Sequence, residues 1–200
     1  MWQVALLALT PTSGALFLTV LAALALSLAV WGARSPGPGP RTTATALLAL
    51  WLLLLLAVTL TPTQPIGSGD ATVWWRPGES LFGPGAPPQP QELEMLVRVH
   101  LANAALYVPG PLLLRFAAPR WSAAAAFLLG VGLCAGIETA QLLMRAGRVA
   151  DIDDVLSAAA GTAAGAALGL LARVVATGAG RVGLRTHPSP SRPVTDLRGK

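Results

Sequence analysis

Acid and lysine are scarce in this 200-residue chain: nine Asp and Glu stand against fourteen Lys and Arg, and thirteen of those are arginine. Charged residues make up 12% of the sequence and hydrophobic ones 54%, the balance of an integral membrane protein and not of a soluble domain. A single cysteine, Cys134, excludes an intramolecular disulfide. It sits in an apolar run and reads as a small buried hydrophobe. There is no nucleophile elbow, phosphate-binding glycine loop or Ser/His/Asp arrangement. The net charge of +5 makes no case for nucleic acid, because in a membrane chain the position of the charge matters more than its sum. No Lys or Arg precedes the first apolar run, so the positive start of a secretory signal is missing and a retained span is expected there.

What is present is a series of apolar runs, each near the roughly 20 residues that cross a bilayer. Two lie at 13–33 and 42–61, joined by RSPGPGPR. A third starts near Glu92 and is the least apolar, with Pro109 and Pro111 expected to kink it or end it early. A fourth runs from about Trp121 to Met144 and a fifth from about Asp151 to Val175. The expected fold is all-α: a polytopic transmembrane helix bundle of about five spans over residues 1–176. Residues 62–91 hold seven prolines and five glycines, which excludes a long helix or a central strand. This segment is expected to be an irregular loop lying partly on the membrane surface, with Trp74, Trp75 and Phe82 at the headgroup level. The Arg/Pro/Ser-rich tail, 177–200, is expected to be disordered.

Arginine sets the expected orientation. With the 34–41 turn inside, ten of the fourteen basic residues fall on the cytoplasmic side; the amino terminus is then outside and the tail inside. Every acidic residue except Asp196 then falls on the outer side or near the outer ends of the later spans, as do Arg98, His100 and Asn103.

Four of the nine acids lie between residues 138 and 154. Glu138 and Gln141, three apart, share a helix face. Glu138 lies about two turns inside its span, where an ionised carboxylate costs about 2.5–3.5 kcal/mol on insertion scales. Arg148, Asp151 and Asp154 are also spaced by three. Asp151 reads equally well as a helix-start carboxylate held by free N–H groups; Asp154 is deeper and has less need to be a cap. The cluster fits an ion-pair network, a headgroup site or an oxygen-only divalent site, although no His or Cys stands at ligand spacing. His100 reads first as a satisfied interfacial histidine. Gly161, Gly165 and Gly169 form a small-residue ladder for close helix packing. If it faces the fourth span, it holds Asp154 against Glu138.

Asn103 with Tyr107-Val108-Pro109, then Glu138 and Gln141, then Arg148, Asp151 and Asp154, then Gly161 and Gly165 make an ordered set that resembles the VanZ-like family of small bacterial membrane proteins over about residues 95–172. Two positions depart from the family pattern: Gly110-Pro111 alters the usual Pro-x-Gly, and Ala158 stands where an Asn is common. The resemblance implies a cell-envelope role, since the family is named for a protein that raises resistance to the lipoglycopeptide teicoplanin. It supplies no mechanism.

Three readings follow. In the first, Glu138, Gln141, Arg148, Asp151 and Asp154, assisted by Arg98 and Asn103, line an outward-facing pocket. That pocket recognises the polar headgroup of a membrane lipid, a lipid-linked envelope precursor or a lipidated molecule such as a lipoglycopeptide antibiotic, with the arginines as charge-assisted donors. In the second, the carboxylates hold a divalent cation and the protein is a membrane enzyme acting on a lipid-linked phosphate or sugar. In the third, the charges form an ion-pair clasp in a membrane scaffold. The first needs no cofactor, and none of the three involves nucleic acid.

Overall fold

The computed structural model describes residues 11–35, 37–79 and 88–185. Along these the chain forms α1 (Pro11–Arg34), α2 (Gly39–Leu60), β1 (Thr72–Trp74), α3 (Pro90–Tyr107), α4 (Pro109–Ala117), α5 (Ala123–Met144), β2 (Val149–Asp151) and α6 (Ile152–Arg185). Four helical stretches are long and apolar enough to cross a membrane: Thr12–Arg34, Gly39–Leu60, Ala123–Met144 and Ile152–Gly178. Their large outward side chains, such as Leu53 and Leu128 at 67% exposure, are disposed as lipid would require, because lipid tails impose no cost on apolar surface.

The third expected span is the one that differs. Pro109 has no N–H to give the Ala105 carbonyl, which takes the Val108 N–H at 3.3 Å instead, and the helix divides into α3 and α4. Val108 keeps helical angles, φ −65° and ψ −44°, so the proline makes a joint between two helices and not a looped excursion. Gly110, one residue past the break, lies directly under the Trp51 ring, where a Cβ would collide with it. The Trp51 Nε1 donates to the Leu106 carbonyl at 2.9 Å, so α2 supports the joint from the side.

The last helix is central, packing against α1, α3, α4 and α5. Its glycine ladder faces the divided helices and not α5. A Cβ on Gly161 would overlap the Ala104 carbonyl oxygen, one on Gly165 the Val108 carbonyl oxygen, and one on Gly169 would meet Arg115. Contact with α5 is made elsewhere, where Gly130 leaves room for the fully buried Thr162. The helix also runs through Arg185, past the point where the disordered tail was expected to begin; residues 186–200 lie outside the described ones. Two apolar cores result. One gathers Leu21, Leu28, Leu112 and Ala172, the other Leu55, Tyr107, Cys134, Ile137 and Ala158.

The proline-rich segment is more ordered than its composition promised. Thr72–Trp74 pairs in parallel with Val149–Asp151. Backbone bonds from Gln64, Gly67 and Gly69 reach the carbonyls of Ala146, Met144 and Arg145 at 3.2, 2.9 and 2.8 Å. Close approach of the two loops requires their glycines: a Cβ on Gly69 would meet the Gly147 backbone, and one on Gly147 the Gln64 side chain. Trp74 and Trp75 are exposed; Phe82 lies outside the described residues.

Candidate functional site

The site is built where four elements meet. α5 starts with Ser122, whose Oγ accepts the Ala125 N–H at 3.0 Å. It ends when Arg145 takes a left-handed backbone, φ 47° and ψ 48°, turning the chain sharply just after Glu138 and Gln141. α3 starts with a capping box in which Gln89 and Glu92 satisfy each other's backbone, and it carries Asn103 to the same level.

A cavity of about 50 Å³ is lined by Asn103, Glu138, Gln141, Arg148 and Asp154, with Thr59, Tyr107 and Cys134 among its other walls. Thus five of the seven expected site residues come together. Asn103 Nδ2 donates to Asp154 Oδ1 at 2.5 Å, so the glycine ladder holds Asp154 against α3, not against Glu138 on α5. Gln141 Nε2 donates to the Thr59 carbonyl at 2.8 Å. Arg148 Nη2 donates to the Thr61 carbonyl at 3.1 Å, while its Nε is buried with no partner. Burial holds the Arg148 guanidinium below its ordinary value, an effect that the nearby Glu138 and Asp154 charges oppose.

Asp151 stands on the other side of Glu138. Its backbone N–H donates to Glu138 Oε2 at 3.2 Å, and its carboxylate accepts the Asp153 N–H at 2.9 Å. Burial pushes the Asp151 carboxyl above its ordinary value, with that Asp153 bond pulling the other way. Asp151 and Glu138 edge a second cavity of about 260 Å³, lined otherwise by apolar groups of Trp74, Trp75, Leu142, Ile152 and Val155. Glu138 lines both cavities.

Arg98 does not join the cluster. It pairs with Glu94 one turn earlier on α3; five residues on an α-helix is well off one face, so Arg98 and Asn103 diverge. Arg148 makes no ion pair with the carboxylates among the described residues. Asp153 is the residue that spacing arguments passed over. It is buried and accepts the Gly78 N–H through both oxygens, at 2.8 and 3.0 Å, fastening the proline-rich segment to the start of α6. Its signal was its place in the acid run, but it falls outside the three-residue spacing that singled out Asp151 and Asp154.

A family model described as VanZ/LLP1 matches residues 17–173. The chain belongs to this family. No curated protein and no solved structure matches it. The match begins within α1, so in this VanZ/LLP1 chain the first helical pair is part of the family domain along with the motif-bearing region. Family and four long apolar helices together make it a membrane protein. Its two departures from the pattern also have physical settings. Gly110 leaves the Trp51 ring the space that a Cβ would take. Ala158 is fully buried among Leu55, Tyr107, Cys134 and Ile137, where an Asn would need buried partners.

Proposed function

We propose that this VanZ/LLP1 protein acts in the bacterial cell envelope by recognising an amphiphilic molecule, a lipid-linked precursor or a lipidated antibiotic, at the outer leaflet. One observation carries the reading: Glu138 is the wall between a small polar cavity and a larger apolar one. The apolar side suits an alkyl portion. At about 50 Å³ the polar side takes one or two waters or a single polar substituent and not a sugar ring, so the rest of a headgroup would lie outside, against Asp151. Arg148 Nε, buried without a partner, is a donor in place for that substituent.

The family's namesake points to protection against teicoplanin, whose acyl chain separates it from vancomycin. The scaffold reading also has support, since Glu138 and Asp154 already accept hydrogen bonds from the protein. Glu138→Gln separates the two, because the amide oxygen still accepts the Asp151 N–H while the charge is gone. Drug susceptibility is measured in a strain lacking the protein and complemented with wild type, Glu138→Gln or Glu138→Ala, with membrane levels checked. Recognition predicts that wild type raises tolerance to teicoplanin and that both variants lose it. A Glu138→Gln variant as protective as wild type would leave only the structural role.

A further inference from the structure

The end of the bundle away from the acids holds a cavity of about 320 Å³ between α1, α2, α4 and α6, and Arg41, Arg115 and Arg173 all line it. No acid lines it, and none of the three makes an ion pair among the described residues. Two have structural duties. Arg41 Nε donates to the Ala117 carbonyl at 3.0 Å, at the end of α4, and Arg115 Nη1 donates to the Trp121 carbonyl at 2.7 Å, across the turn into α5. Each such bond uses one of five donors on a guanidinium. The Arg115 Nε is buried with no partner, and the Arg173 side chain donates to nothing among the described residues. An unpaired buried donor beside like charges is costly to leave unanswered.

We propose that this cavity binds a phosphate group. Planar guanidiniums match phosphate oxygens in bidentate fashion, and a volume of this size admits a phosphate with a small substituent. The group is either the phosphodiester of a lipid, drawn from the leaflet that the arginine bias assigns to the cytoplasm, or free inorganic phosphate. The site is independent of the outer-leaflet reading, since it shares no residue with the Glu138 cavities.

The test uses the full-length protein in phosphate-free maltoside micelles, with the shift in melting temperature read on adding phosphatidylglycerol or, separately, inorganic phosphate. Arg173→Gln removes a cavity cation that holds nothing else together, and Arg34→Gln removes an exposed arginine at the same end that does not line the cavity. The expected result is a shift in wild type and Arg34→Gln, with the concentration needed raised roughly tenfold in Arg173→Gln and partly recovered in Arg173→Lys, which restores the charge without the fork. A response to phosphatidylglycerol alone identifies the lipid as the source; one to inorganic phosphate identifies the free anion. General attraction of an anionic lipid to a basic surface lowers both Gln variants alike, and that result, or no shift with either probe, overturns the proposal.

Discussion

At one end of the bundle, Glu138, Asp151, Asp153 and Asp154 crowd together, and each accepts a hydrogen bond from a named neighbour: the Asp151 N–H, the Asp153 N–H, the Gly78 N–H and the Asn103 amide. At the other, Arg41, Arg115 and Arg173 share a larger cavity, and most of their donors are unused. The acids are short side chains close to backbone N–H groups at the start of a helix and across a strand pair, so the protein itself can satisfy them. The arginines are long, carry many donors, and meet only a few free carbonyls at the ends of α4 and its following turn. Crowded charge is therefore not the same as available charge. The acidic end is bound up in holding the fold, and its openings lie beside Glu138 and Arg148; the basic end has spare capacity.

The glycine ladder offers the sharpest way to break that comparison, because it runs from one end to the other. Gly161→Ala, at the acidic end, would drive a methyl into the Ala104 backbone; we expect a loss of about 1–3 kcal/mol, read as a lowered melting temperature in detergent. Gly169→Ala faces the flexible Arg115 side chain at 3.3 Å, and should cost much less. Equal losses would mean that α6 packs with the same rigidity along its length. Asn103→Ala removes the donor to Asp154 and should cost about 1–3 kcal/mol by leaving a buried acceptor unpaired, read in the same melt.

A smaller effect is expected from Gln141→Leu, which strips the Thr59 carbonyl of its partner but keeps the side chain's bulk, at about 1–2 kcal/mol. The smallest concerns Asp151. Its carboxyl lies above its ordinary value in the folded protein, so folding favours the protonated form. That contribution is present below the ordinary carboxylate value and is lost as pH rises through the raised one. Asp151→Asn, which can still accept the Asp153 N–H, should flatten this slope in melts taken from acid to neutral pH; an unchanged slope would assign it to other groups.

Much of the bundle was legible from length and hydropathy. α1, α2, α5 and α6 announce themselves as apolar runs near bilayer length, and Pro109 marks the joint because its missing N–H follows from its chemistry. The strand pair was not legible: three residues carry no period, and a parallel partner some 77 positions away, Val149 for Thr72, leaves no local trace. At the site, Glu138, Gln141, Arg148, Asp154 and Asn103 were found by spacing and resemblance. Arg98 was included because it falls at the same outer level as Asn103, but level along a helix does not fix the face, and it pairs with Glu94 instead. The convergence of Arg41, Arg115 and Arg173 arises only when α2, α4 and α6 are packed.

The bonds between the proline-rich segment and residues 144–153 set an order on assembly. Residues 61–78 leave the ribosome long before their partners do, since α3, α4 and α5 come between. During that interval the Gly67, Gly69 and Gly78 amides have none of the carbonyl and carboxylate acceptors described above. The acidic end can close only once α5 has turned at Arg145 and α6 has begun, so the candidate site waits on the chain through Asp154, and the arginine cavity waits longer still, for Arg173.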